Sequence, residues 1–308
     1  MEKSKPPEGL GPVLVASDLS DTADEAVRQA HNWARRTGRP LSVLHVMPNP
    51  VPIAPLAPQD AVEALERAPE VESQVLDLLE QRVGRVTGRG PGRFAIALQR
   101  GGAAELILAE AERVGALLVI APSRKSSLEA AIVGSVAEAV LEQTRVPVLL
   151  ARPSPDGGPI LAATDLTEDA EPVMLSAATE AAQRGGKLLL AHSLEVAHPV
   201  TSAFDPSASL SSEALASLRA GCKEALAAAL GRLEAGGEPL VLEGPPQRTL
   251  VEAARTHGAS LVVIGAHRGA RIGRLGNVAR AVARGAACSV LILPPARAGR
   301  KSQRPDAG

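Results

Sequence analysis

Short apolar runs alternate along the chain with longer stretches of helical periodicity. In the first half the runs are Pro12 to Ala16, Leu41 to Met47, Phe94 to Leu98, Leu117 to Ala121 and Val146 to Ala151. Each is bounded by turn residues and apolar on both faces, the pattern of a parallel strand covered by helices on either side. Between them, Ala23, Ala26, Val27, Ala30 and Ala34 follow i, i+3, i+4, i+7 spacing behind a Ser20 cap, and Val71, Val75, Leu78, Leu79 and Val83 do the same. Five strands alternating with four helices predict a doubly wound α/β domain, a five-stranded parallel sheet with helices on both faces and right-handed crossovers.

The pattern then repeats. VLVASDLSDTADEAVRQA (Val13 to Ala30) pairs with ILAATDLTEDAEPVMLSA (Ile160 to Ala177), setting Asp18 against Asp165 at an offset of 147. LSVLHV (Leu41 to Val46) pairs with LLLAHS (Leu188 to Ser193) at the same offset, His45 on His192. The offset shrinks to 144 at Arg124 and Arg268 and to 142 at Gly134 and Gly276, so the changes fall in loops. Strands are expected at Ile160 to Ala163, Leu188 to Ala191, Pro239 to Leu242, Leu261 to Gly265 and Val290 to Leu293. Pro172 conflicts with a helix capped at Thr167 and moves the expected start a residue or two later. The expected domains are residues 10–152 and 159–294, with RPSPDGGP (Arg152 to Pro159) as linker and 295–308 as a disordered tail. The loops PNPVPIAPLAPQD and HPVTSAFDPSASLSS after each second strand are long for α/β connections.

Composition narrows the function. A chain of 308 residues, 45% hydrophobic, can bury two cores, and a formal net charge of −1 gives no general pull toward nucleic acid or anionic membrane. One Trp, two Phe and no Tyr remove the stacking platforms that single-strand and RNA binders use. Cys222 and Cys288 lie far apart in no metal-type spacing, which suggests neither a disulfide framework nor zinc. His192 and His198 lack zinc-type spacing, His267 reads as a solvated loop residue, and Cys288 reads as packing. No apolar run approaches a membrane span and the amino terminus lacks the apolar stretch of an export signal, so a cytoplasmic location is expected. G-x-S-x-G, Walker A and an early G-x-G-x-x-G are all missing, and no enzymatic activity is expected.

Each half resembles a universal stress protein domain: a first strand ending in D-L-[ST], a second ending like L-H-V, a glycine after the third (Gly101, Gly244), an apolar fourth, then G-[SN]-V-A and a last helix and strand (TRVPVLLA, ACSVLIL). The match runs from about Pro12 to Leu293, so the whole chain looks like a tandem member of that family. The resemblance implies an internal pseudo-dimer of the two halves, with further homo-oligomerisation open, and in some members ATP, with Mg²⁺, in each domain. Binders in the family carry G-x2-G-x9-G-[ST], whose glycines admit phosphate close to the backbone and whose last glycine opens a helix toward the anion. Here Ala121 and Arg124 stand in for the first two glycines of the first half, before Gly134 and Ser135. The second half keeps Gly265, has Arg268 in the second place and reaches Gly276 and Asn277 two residues early.

The candidate cofactor residues are therefore Asp18, Val46, Arg124, Gly134, Ser135, Asp165, Gly265, Arg268, Gly276 and Asn277. By the resemblance the aspartates lie near a nucleoside and Val46, with Ser193 as its counterpart, meets adenine through its backbone. On the residues alone Asp18 and Asp165 also read as turn formers before helix one, and Ser135 and Asn277 as helix N-caps. Two functions stay open: a stress-responsive regulatory module binding adenine nucleotide, best placed in the second half where RGARIGR adds positive charge, or a ligand-free scaffold whose crevices Arg124 and Arg268 fill.

Overall fold

The computed structural model describes residues 11–48, 68–90, 92–116, 118–122, 124–125, 131–132, 134–154, 157–195, 211–266 and 275–294, with only the backbone of those between 118 and 132. The two long loops lie mostly, and the tail wholly, outside these residues.

The first half runs β1 (Val13–Ala16), α1 (Asp21–Thr37), β2 (Leu41–Met47), α2 (Ala68–Thr87), β3 (Ala95–Arg100), α3 (Ala103–Arg113) and β4 (Leu118–Pro122). A two-stranded pair, β5 (Arg124–Lys125) with β6 (Ala131–Ile132), precedes α4 (Ser135–Gln143) and β7 (Val148–Ala151). The second half runs β8 (Ile160–Ala163), α5 (Glu171–Arg184), β9 (Leu188–Leu194), α6 (Ser212–Arg232), β10 (Gly237–Glu243), α7 (Pro246–Thr256), β11 (Leu261–Gly265), α8 (Asn277–Gly285) and β12 (Ser289–Leu293). A 3₁₀ turn, Glu168–Ala170, takes up the residues after Thr167, so α5 begins at Glu171 with Pro172 in its first turn, where a missing N–H costs nothing.

Within each half the strands are parallel, in the order β3-β2-β1-β4-β7 and β10-β9-β8-β11-β12. The two sheets join edge to edge: β7 and β12 pair antiparallel, Leu149 opposite Leu291, and make one ten-stranded sheet. Side chains alternate across it. Leu14, Leu44 and Leu150 join a core beneath α3, α4, α7 and α8, whereas Val13, Val15, Val43 and Leu149 join another beneath α1, α2, α5 and α6. Both cores cross the boundary between the halves, and each large apolar side chain fully buried there contributes about 1.5–3 kcal/mol.

One expectation fails along α2. Leu79 and Val83 are buried, but Val71 and Leu78 are 41% and 49% exposed, because only the later turns of this helix pack on the sheet and on α1. Arg152, the first residue of the expected polar linker, is buried at the seam. Its guanidinium donates to the carbonyls of Cys288 and of Ala283, the latter in the last turn of α8, where the helix dipole favours a cation. Ser289, fully buried, accepts from the Arg152 N–H at 3.1 Å, and its one hydroxyl proton is shared between the Arg152 carbonyl at 3.0 Å and Gln29 Oε1 of α1 at 2.9 Å.

Burial pushes the Cys288 thiol up to about 11, the neighbouring Arg152 only partly opposing it. Since the thiolate is the nucleophile, iodoacetamide at about pH 8 should label the half-buried Cys222 alone in the native chain and both thiols after denaturation. Two labels on the native protein would contradict the buried seam.

Candidate functional site

At the carboxyl ends of the strands the repeat is kept atom by atom. Asp18 Oδ1 accepts from the Ser20 N–H at 3.0 Å, and Asp165 Oδ1 from the Thr167 N–H at 3.1 Å and the Thr167 hydroxyl at 2.6 Å. The residue between, Leu19 or Leu166, is forced to φ 62° or 63°, a left-handed conformation that costs a leucine about 1–2 kcal/mol. Ser17 Oγ and Thr164 Oγ1 accept from these leucine N–H groups and hold the turn. Ser20 also caps α1, accepting from Ala23, while Thr167 makes no such cap.

A histidine fixes the next strand. His45 Nδ1 lies 2.7 Å from the Ser17 carbonyl and His192 Nδ1 2.9 Å from that of Thr164. A carbonyl only accepts, so Nδ1 carries a proton and donates it in both halves. These histidines belong to the site's framework, a role that zinc-type spacing could not reveal. Their recurrence at one offset was the available signal.

β2 pairs with β1 only as far as Leu44, but with β3 to Met47; β9 likewise outruns β8. Main-chain groups alternate sides along a strand, so Val46 and Ser193 point the same way as Leu44 and Ala191, whose carbonyls accept from Ser17 and Thr164. Past that point no strand follows on that side, and the N–H and C=O of Val46 and Ser193 face the crevice. The Ser193 hydroxyl is engaged elsewhere, donating to the Gly244 carbonyl at 2.7 Å.

The helix starts differ from the expectation. Gly134 and Gly276 are themselves the N-caps of α4 and α8, at ψ 154° and 153°, and neither helix has a side-chain cap. Ser135 and Asn277 are the first helical residues, so their side chains do not satisfy the first-turn N–H groups, which stay directed outward in the arrangement that binds anions. Gly276 is held close to β11 by its N–H on the Ala266 carbonyl, 2.7 Å.

In the second half these parts surround one cavity of about 360 Å³, which Asp165, His192, Ser193, Gly265, Gly276 and Asn277 line, with Asp169 and Glu195 adding two more carboxylates. Asp18, Val46, Gly134 and Ser135 hold the corresponding places in the first half. Arg124 lies in β5, described by its backbone alone, and Arg268, with His267, lies outside the described residues, as does His198. Among the described residues no cluster of His, Cys, Asp or Glu is placed to hold a metal, and no helix is long and apolar enough to cross a membrane.

No curated protein matches the chain. A universal stress protein from Archaeoglobus fulgidus DSM 4304 shares the fold at a TM-score of 0.64 and 18% identity, over 92% of this chain and 98% of that one. A functionally unknown protein of Pseudomonas aeruginosa PAO1 does so at 0.63 and 19%, over 93% of each. A universal stress protein solved in complex with cAMP is 27% identical over 44% of this chain and 95% of its own, but at a TM-score of 0.32 it carries no argument about ligand. The model of the universal stress protein family matches residues 10–152 and again 158–294. With nearly the whole chain accounted for by two matches and a sheet built from two like halves, this chain belongs to the universal stress protein family as a tandem member.

Proposed function

We propose that the chain is a stress-responsive regulatory module that binds an adenine nucleotide in its second half. The observation that carries this is the second-half cavity, which collects three recognition elements of different chemistry. The open main-chain edge of Ser193 offers a donor and an acceptor to a base. Asp165 brings to the cavity a carboxylate, the acceptor that ribose hydroxyls require, and the N-terminus of α8 brings uncapped N–H groups suited to phosphate. A cavity of about 360 Å³ is within the range of small-molecule sites. Mg²⁺ would arrive on the phosphates, since no metal cluster of the chain stands ready among the described residues.

Calorimetric titration of the full chain with ATP and Mg²⁺ tests the reading. One saturable site is expected, weakened about tenfold by Asp165→Asn, and ATP at about a hundred times its Kd should add about 2.7 kcal/mol to stability. Absence of heat at millimolar ATP, together with no nucleotide released from the purified protein on denaturation, would overturn it.

A further inference from the structure

At the opposite, amino-terminal edge of the first sheet lies a second cavity, about 370 Å³, between the end of α1, the start of β2 and the turn leading into β3. His31, Arg35, Arg39, Arg89 and Arg93 line it, Phe94 closes one side, and no carboxylate is among its lining residues. Arg39 is half-buried, its Nη1 donating to the Gly11 carbonyl at 3.3 Å, while Arg35, Arg89 and Arg93 are exposed and make no ion pair among the described residues. Burial, with Arg89 and Arg35 close by, lowers the pKa of His31, as a site of unneutralised positive charge requires. Elsewhere the arginines of this domain are largely matched: Arg28 to Glu25, Arg82 to Asp21 and Asp24, Arg100 to Glu72, Arg113 to Glu110.

Basic residues at the end of a helix complement its dipole, so one or two arginines here would need no further explanation. The repeat shows that the fold does not ask for this cluster. The places of His31, Arg35 and Arg39 are taken in the second half by Ala178, Ala182 and Gly186. The connection after α2 is also longer than its counterpart, seven residues between Thr87 and Ala95 against four between Arg232 and Gly237. That longer turn carries Arg89 and Arg93, and Gly88 and Gly92, at φ 66° and 75°, supply the left-handed steps that return both arginines to the same cavity.

We propose that this cavity binds a small molecule bearing a chain of two or more phosphates, at a site separate from the nucleotide crevice. A single phosphate accommodates one or two guanidinium forks, whereas four converging arginines match the charge and oxygen count of an oligophosphate. The chain's neutral balance and lack of aromatic stacking surfaces argue against nucleic acid as the source of those phosphates.

Titration of the full chain with sodium tripolyphosphate at about 50 mM salt should give a saturable site whose affinity falls steeply with added salt. The double variant Arg89→Ala/Arg93→Ala should weaken it at least about tenfold. Both side chains are exposed, so the unfolding midpoint without anion should not move. Arg255→Ala, which removes an exposed charge on α7, should leave binding unchanged and exclude a general charge effect. No saturable binding up to about 5 mM, or binding that survives the double variant, would overturn the proposal.

Discussion

Trp33→Ala is expected to lower the stability of the chain by about 3–5 kcal/mol, the cost of emptying an aromatic-sized site in a packed core. Trp33 is 6% exposed on α1 and belongs to the core beneath α1, α2, α5 and α6. Two cations from different halves, Arg36 and Arg184, lie over its ring, each 5.9 Å from the ring centroid. Both arginines reach Glu180 of α5, at 3.6 and 2.8 Å, and that carboxylate is 2% exposed. Removing the indole therefore leaves a void and also loosens a buried carboxylate and the cations that neutralise it. Trp33→Phe keeps most of the apolar volume and should cost only about 1 kcal/mol. Far-ultraviolet circular dichroism during denaturant unfolding measures both variants without relying on the chain's single tryptophan. A loss below about 1 kcal/mol for the alanine variant, typical of a surface position, would show that the ring does not join the halves.

The repeat makes clear which parts of this molecule the sequence states and which it does not. Strand cores are stated: Leu41 to Met47, Ile160 to Ala163 and Leu261 to Gly265 emerge with the bounds their apolar runs predict, because a strand covered on both faces is mostly apolar along its whole length. Strand ends are less legible. β3 continues through Gln99 and Arg100 since β2 supplies partners as far as Met47, and a pairing partner leaves no mark on the paired residue. Periodicity likewise gave α2 its helix but not the turns that have a surface to cover, so Val71 and Leu78 stand exposed. At the site, Asp18, Asp165, Gly265 and Gly276 are visible as types in a pattern, whereas the histidine clasp on the Ser17 and Thr164 carbonyls and the left-handed leucines are products of three-dimensional closure. Ser135 and Asn277 mislead for a physical reason: good capping side chains one residue past the cap cannot fold back onto the N–H groups they would need to reach.

The same two helix starts lead to the second large effect. Glu138 and Glu142 on α4 occupy the places of Arg280 and Arg284 on α8, and the helices meet across the seam. Arg280 contacts Glu138 at 3.3 Å and Glu142 at 2.7 Å, and Arg284 contacts Glu138. The contact of Glu138 with Arg284 and that of Glu142 with Arg280 are related by the pseudo-two-fold axis, which exchanges one half for the other. Two identical first halves brought together in this way would set four carboxylates against one another, and two second halves four guanidinium groups. The divergence of charge after duplication thus favours the pairing of unlike halves and penalises the two like pairings. Reversing one side, Glu138→Arg with Glu142→Arg, should cost about 2 kcal/mol: exposed pairs are each worth up to about 1, and the repulsion that replaces them adds to the loss. Adding Arg280→Glu and Arg284→Glu to the same chain should restore most of that stability, and raising the salt should narrow the gap between the two variants. If the fourfold variant were no more stable than the double one, the charges would be incidental to the seam, which would then rest on β7, β12 and the two cores alone.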